Sequence, residues 1–313
     1  MSMYRALVAA TAGLAFVVIV VGAYVRLSDA GLGCPDWPLC YGQAVPEPMA
    51  DSGAHAKAWK EMGHRYLAAT LGLLILLVAI VSWKIRRSPW LATAIVALVV
   101  FQATLGKWTV TMLLKPAIVT AHLLGGMATL VLLVWLSLSQ FGYVVCEDAK
   151  KIRVAAALAL AAVVIQIALG GWVSANYAAL ACPDLPGCLG QAVPPMDFAS
   201  AFHVLRALGR TGEGGLLPLE ALVAIHWAHR MFALVAVGVV MFVVFRALRI
   251  EALRKAAILA GSALLLQFFL GIANVAFGLP LALAVAHNAG AALLLGALVV
   301  LNFFVFKGLS PSR

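Results

Sequence analysis

Charged side chains are scarce in this chain. They make up 11% of its 313 residues, and only 12 residues are acidic. Soluble domains are roughly 25% charged and about 45–50% apolar, whereas 64% of this chain is apolar and its mean hydropathy is +1.04. Residues 256–306 contain no Asp, Glu, Lys or Arg at all. These shortages exclude a soluble globular protein and indicate an all-α integral membrane protein.

Basic residues outnumber acidic ones and give a net charge of +10. They gather in short clusters between apolar runs, which is the pattern that orients membrane proteins. We therefore expect membrane lipid around the chain and no nucleic-acid partner.

The apolar runs predict eight membrane-spanning helices, each close to the roughly 20 residues that a bilayer requires. Eight spans put both termini on one side, together with 13 of the 22 Lys and Arg, so we expect both termini in the cytoplasm. No cleavage site follows the first run, so we expect it to be retained as a membrane span. No transit segment precedes it, so we expect the protein in a bacterial plasma membrane. The runs are residues 6–25, 62–83, 89–111, 116–138, 154–177, 222–245, and 256–306 divided in two near Pro280.

Cysteine is also scarce: the chain has five. Cys34 and Cys40 form one close pair, Cys182 and Cys188 form another, and Cys146 is left over. Close pairs are either metal ligands or disulfides. Because neither pair has the spacing or the His partners of a zinc site, the pattern favours disulfides, and both fall in loops on the predicted outer side.

The chain contains an internal repeat. Residues 22–46 match residues 170–194 at an offset of 148, including the C-P-D, second Cys and G-Q-A-V-P positions. Beyond this loop the offset becomes 165, because the second half has 17 more loop residues. Each half contains four spans, so the halves share one orientation. We expect two four-helix bundles, residues 1–148 and 149–313, related by a pseudo-twofold axis along the membrane normal.

Two histidines recur in each half, near the outer ends of even-numbered spans. His64 aligns with His229 and His122 with His287, and the separation is 58 residues in both halves. A lone intramembrane histidine is more often a packing residue than a ligand, but a duplicated pair at equal spacing favours ligation. Two histidines from separate spans, without nearby cysteine, fit a haem iron better than zinc or copper.

Glu61 breaks the repeat, because His226 occupies its place in the second half. Glu61 precedes His64 by three residues, which puts both on one helix face. Taken alone, the pair also fits a helix start with a capping carboxylate and an interfacial histidine. The one-sided carboxylate predicts a reaction site in the first half and a structural or electron-relaying site in the second.

Together these features resemble the haem A synthase family over essentially the whole chain, most specifically in residues 22–40 and in E-x-x-H-R at residues 61–65. The resemblance implies oxidation of the C8 methyl of haem O, through an alcohol, to the formyl group of haem A. It also associates Cys34 and Cys40 with function. Haem O synthase and terminal-oxidase assembly factors are the protein partners it suggests.

The resemblance also implies a role for each half. The C-terminal half would hold a haem b cofactor through His229 and His287. The N-terminal half would hold the haem O substrate through His64 and His122, with Glu61 and these two histidines as the catalytic residues.

Three other functions fit parts of the pattern. A di-haem electron-transfer cytochrome would use the same four histidines but has no use for a one-sided carboxylate. A transporter would place its ionisable groups near the midplane rather than at the outer ends. A thiol–disulfide enzyme would not explain the repeated histidines.

Overall fold

The computed structural model describes residues 2–47, 49–141 and 147–307, so Cys146 lies outside the described residues. Within these ranges the chain is helical, with isolated β-bridges and no strand. Eight of the described helices are long and apolar enough to cross a membrane. They are α1 (Ser2–Leu27), α2 (Ser52–Lys84), α3 (Pro89–Thr111), α4 (Pro116–Leu138), α6 (Arg153–Ala175), α8 (Leu219–Leu248), α9 (Arg254–Ala276) and α10 (Leu281–Lys307); α5 (Glu147–Lys150) and α7 (Phe198–Ala201) are short.

Local sequence explains most of the helix ends. Pro89 and Pro116 occupy the first turns of α3 and α4, where proline's missing N–H costs nothing. The long apolar run 256–306 breaks at the expected place: α9 ends at Ala276, Gly278 has a φ of +67°, and α10 begins just after Pro280. The prediction of two spans in this run is confirmed.

The predicted second span, residues 62–83, lies inside a helix that starts ten residues earlier. Helix α2 begins at Ser52, because the Asp51 side chain caps it by accepting a hydrogen bond from the Gly53 N–H at 2.8 Å. At 33 residues the helix is about 50 Å long and exceeds the hydrocarbon layer. Glu61 therefore lies inside a continuous helix and does not cap its start.

Helix packing follows the same pattern in the two halves of the chain. In the first half, α1 and α3 each pack against both α2 and α4. In the second half, α6 and α9 each pack against both α8 and α10. Across the halves, α1 packs on α10, α4 on α6, and α4 on α10. The buried core is almost entirely Leu, Ile, Val and Ala, which pack closely without polar atoms that need partners.

Arg26 and Tyr177 connect α1 to the end of α6. The Arg26 Nη2 donates a hydrogen bond to the Ser174 carbonyl at 2.8 Å, and its guanidinium lies 4.0 Å from the centre of the Tyr177 ring. The Tyr177 hydroxyl donates to Asp29 Oδ1 at 3.2 Å. These contacts satisfy a carbonyl at the end of α6 and join the two halves at one end of the helices.

We expect Arg26→Met to lower the stability of the folded protein, since it removes a charged hydrogen bond worth about 2 kcal/mol and the contact with Tyr177. Thermal unfolding in detergent, followed by circular dichroism, should show a midpoint lower by a few degrees. Lys84→Met, at an exposed helix end, is the matched control. Equal midpoints for the two variants would contradict a stabilising role for Arg26.

Candidate functional site

Each of the four repeated histidines lies against a glycine on the preceding membrane helix. A Cβ atom built on Gly22 of α1 would lie 2.9 Å from the Cε1 of His64 on α2. The same construction on Gly106 of α3 gives 3.3 Å to the Cε1 of His122 on α4. Side chains larger than hydrogen at these positions would displace the imidazoles. Glycine therefore lets the rings enter the space between helices.

The second half repeats this arrangement. A Cβ built on Gly170 of α6 would lie 3.0 Å from the Cε1 of His229 on α8, and one built on Gly271 of α9 would lie 3.1 Å from the Cε1 of His287 on α10. Gly170 and Gly271 are the repeat equivalents of Gly22 and Gly106. These glycines were not predicted as part of the site, although all four stand in strings that the repeat duplicates and could have been found there.

In each half, the helices that carry the two repeated histidines pack on the same two neighbouring helices, α1 and α3 in the first half and α6 and α9 in the second. The Nδ1 atoms of His64, His122 and His287 are buried and have no hydrogen-bond partner in the described part of the chain. Buried polar atoms are rarely left in this state unless a bound group or water satisfies them.

Glu61 is buried beside the first disulfide loop and makes two strong contacts. Its Oε1 lies 2.5 Å from Arg65 Nη2, and its Oε2 accepts a hydrogen bond from the Cys34 N–H at 2.9 Å. Its repeat equivalent, His226, is also buried and accepts a hydrogen bond at Nδ1 from the Cys182 N–H at 3.3 Å. The two residues thus share one structural task, which is to hold the cysteine loop, and differ in charge.

Both cysteine pairs are disulfides in the structure, Cys34–Cys40 and Cys182–Cys188. All four sulfur-bearing residues are buried against the helices that carry His64 and His229. Each bond closes a loop of the same shape, in which the backbone of the second cysteine pairs with that of a glutamine three residues later.

The arginines that follow His64 and His229 hold these loops. Arg65 donates from Nη1 to the carbonyl oxygens of Asp36 at 3.0 Å and of Leu39 at 2.6 Å. Arg230 donates to the carbonyls of Asp184 at 3.0 Å and of Pro186 at 2.9 Å. Each histidine is therefore linked through the next residue on its helix to the disulfide loop above it.

Each loop also contains an aspartate that its backbone stabilises in the charged form. The Gly190 N–H holds the pKa of Asp184 below its usual value, with smaller contributions from the Leu189 N–H and from Arg230. Burial opposes the same shift at Asp36, but the equivalent backbone N–H groups outweigh it and lower the pKa there too. The loops should therefore keep this conformation at neutral pH.

The donor set of each half fits a haem. A porphyrin supplies four nitrogens to its iron, and two imidazoles complete the coordination. Within residues 2–47, 49–141 and 147–307, no three His, Cys, Asp or Glu side chains gather closely enough to hold a metal ion by themselves. Each half instead offers two histidines that lie against glycines, and three of the four have a buried Nδ1 without a hydrogen-bond partner among the described residues. This arrangement suits a prosthetic group that needs only two protein ligands.

Comparison with known proteins gives consistent matches. The profile of the cytochrome oxidase assembly protein family, COX15-CtaA, matches residues 5–299. A protein of Shewanella oneidensis named Heme A synthase is 42% identical to this chain. The alignment has 313 positions and covers 95% of each chain. The Heme A synthase of Caulobacter vibrioides is 29% identical over 91% of this chain and 90% of its own length. That of Rhizorhabdus wittichii is 28% identical over 91% and 89%.

We expect Gly22→Ala to weaken haem retention in the first half, because the added methyl would push His64 out of its cleft at a cost of about 2 kcal/mol. Gly170→Ala should do the same at His229. Absorbance of the haem bound to each purified variant measures the effect.

Gly13→Ala on α1 and Gly238→Ala on α8 are the matched controls, since a Cβ at either position would meet nothing within 4 Å. Haem content that falls equally in the controls, or in none of the variants, would contradict the role assigned to the two glycines.

Proposed function

This chain belongs to the cytochrome oxidase assembly protein family COX15-CtaA, and we propose that it is a haem A synthase, a multi-pass membrane oxidoreductase that converts haem O to haem A. The identity to a named relative extends over nearly the whole of both chains. The observation in the structure that best supports this function is the duplicated histidine–glycine contact, with a buried carboxylate beside it in one half alone of the described chain.

The two halves of the proposed enzyme have different tasks. The N-terminal half, residues 1–148, would hold the haem O substrate between His64 and His122. The C-terminal half, residues 149–313, would hold haem b, an iron porphyrin that can accept and donate an electron. The unequal partners of the Cys34 and Cys182 loops support this assignment, since the first loop bonds to a carboxylate and the second to an imidazole.

We propose that the halves are parallel repeats about a pseudo-twofold axis. The contacts across the halves support it, because exchanging α1 with α6 and α4 with α10 converts each contact into another that is present. Arg26 contacts Ser174 and Asp29 contacts Tyr177, and each of these pairs consists of repeat equivalents 148 residues apart. Equivalent residues meet each other only near a twofold axis.

Glu61 is the proposed acid–base residue. It lies one helical turn before His64, and Arg65 and the Cys34 N–H hold its carboxylate in place. Oxidation of a methyl group to a formyl group releases protons, and a positioned carboxylate beside the substrate can accept them. The Cys34–Cys40 disulfide would then act on the site through Glu61, because it fixes the loop whose N–H this carboxylate binds.

The membrane is the bacterial plasma membrane in this proposal, with both termini in the cytoplasm and both disulfides outside. The distribution of Lys and Arg and the oxidised cysteines support the same orientation. Haem O and haem A are the small-molecule partners. Haem O synthase and terminal-oxidase assembly factors are the candidate protein partners, in keeping with the family's description.

Pigment extraction from cells that make haem O tests the function. Cells that also express this chain should convert haem O to haem A, which chromatography of the extracted haems would detect. Bound haem b without any conversion would overturn the proposal and favour the di-haem cytochrome instead.

We expect Glu61→Gln to retain bound haem but to accumulate haem O or its alcohol. The amide oxygen can still accept the Cys34 hydrogen bond, so the loop stays in place while the proton acceptor is lost. Conversion should fall about a hundredfold or more, since general acid–base groups contribute roughly 10²–10⁴-fold.

His226→Gln is the matched control in the second half, because its amide oxygen can accept the Cys182 hydrogen bond that His226 now accepts. We expect this variant to convert haem O as the unaltered protein does. A normal haem A yield from Glu61→Gln would remove Glu61 from the chemistry.

A further inference from the structure

A half-buried glutamine on the neighbouring helix contacts His229. The Nε2 of Gln166, on α6, lies 3.1 Å from the Nδ1 of His229 and donates a hydrogen bond to its backbone carbonyl at 3.1 Å. The Oε1 of Gln166 is buried and has no hydrogen-bond partner among the residues described. The amide is thus placed at the ring of a proposed haem b ligand with an unused acceptor.

A glutamine also lies beside His122 in the first half and beside His287 in the second. Gln102 donates to the carbonyl of His122 at 3.0 Å, and the Nε2 of Gln267 lies 3.3 Å from that of His287. Gln102 and Gln267 are repeat equivalents. This pair does not distinguish the halves.

Gln166 does distinguish them, because its repeat equivalent is Val18. Gln166 precedes Gly170 by one helical turn, and Val18 precedes Gly22 by the same interval. Because Gly170 lies against His229 and Gly22 against His64, Gln166 and Val18 lie on the helix faces toward these two histidines. Valine offers no hydrogen-bonding group. In the described part of the chain, His64 is the one repeated histidine with no hydrogen-bond contact to a glutamine.

We propose that Gln166 is a positioning residue that fixes His229 and strengthens it as a haem b ligand, whereas Val18 leaves His64 a weaker and more exchangeable ligand for the substrate haem. The inference rests on the proposed function. A resident cofactor must be retained over many turnovers, but a substrate haem must leave as product. One amide in one half supplies that difference.

The physical reason lies in the second nitrogen of the imidazole. When one ring nitrogen binds iron, the other carries a proton, and an acceptor for that proton fixes the ring and raises its basicity. A half-turn of the Gln166 amide about its last side-chain torsion brings Oε1 to the Nδ1 of His229. The turn gives the oxygen a partner, at the cost of the bond to the His229 carbonyl and of moving the amide N–H groups to the place where Oε1 now lies.

Redox titration of the full-length protein tests this role, with protein purified from cells that make haem b and no haem O. Gln166→Met keeps the length of the side chain and removes the acceptor. We expect it to raise the midpoint potential of one haem component, because a less basic imidazole stabilises ferric iron less. Transfer of that haem to an excess of apomyoglobin should be about tenfold faster than from the unaltered protein.

Gln166→Glu provides the second measurement, since a carboxylate is a stronger acceptor than an amide. It should lower the same midpoint potential and slow haem loss, the opposite of Gln166→Met. If Gln166 merely filled space, the two substitutions would shift the midpoint potential and the rate of haem loss in the same direction. If Gln166→Met fails to fold, the sign of the shift in Gln166→Glu decides.

Val18→Gln is the reciprocal variant in the first half, and in protein purified from cells that also make haem O it should slow haem loss from that half alone. Unchanged potentials and rates in both Gln166 variants, with haem b bound, would overturn the role of Gln166 and leave the proposed function standing. Absence of a two-histidine haem spectrum from the unaltered protein would overturn both, and it would be seen before any variant is compared.

Discussion

The contact between an imidazole and a glycine on the neighbouring helix is the constraint on which the rest of the arrangement depends. It occurs between α1 and α2, α3 and α4, α6 and α8, and α9 and α10. These are also the four most extensively packed helix pairs in the described chain. Because apolar burial does not drive helices together in lipid, small residues that permit close approach largely decide which helices pair. Histidine placement and helix packing therefore have one cause.

The disulfide loops extend this constraint to the ends of the helices. Arg65 and Arg230 follow the histidines directly and bind loop carbonyls, while Glu61 and His226 bind the first cysteine of each loop. The loop, its disulfide and the histidine helix therefore form one connected unit in each half. A change in the loop would reach the proposed haem site through a single helical turn.

Differences between the halves carry the proposed division of labour. The fold uses both halves alike, so residues that differ at equivalent positions are free to serve chemistry. Glu61 in place of His226 adds a charge beside the proposed substrate site. Val18 in place of Gln166 removes an amide from a histidine. One change supplies an acid–base group, and the other affects how firmly a ligand is held.

The amino-acid sequence by itself determined the membrane class, the eight spans, the repeat, the histidine pairs and the cysteine pairs. Composition, period and spacing are enough for these features, because each depends on residues close in the chain or on two matching copies. The ten-residue extension of α2 was missed, since its cap at Asp51 lies in a polar segment that resembles a loop.

Only the tertiary structure decided which groups the site residues touch. The glycine clefts, the shared loop contacts of Glu61 and His226, and the amide of Gln166 beside His229 join atoms on different helices. Gln166 lies 63 residues from His229 in the chain, and no local pattern connects them. Side-chain contacts across helices depend on the rotation and separation of whole helices, which are settled when the helices pack together.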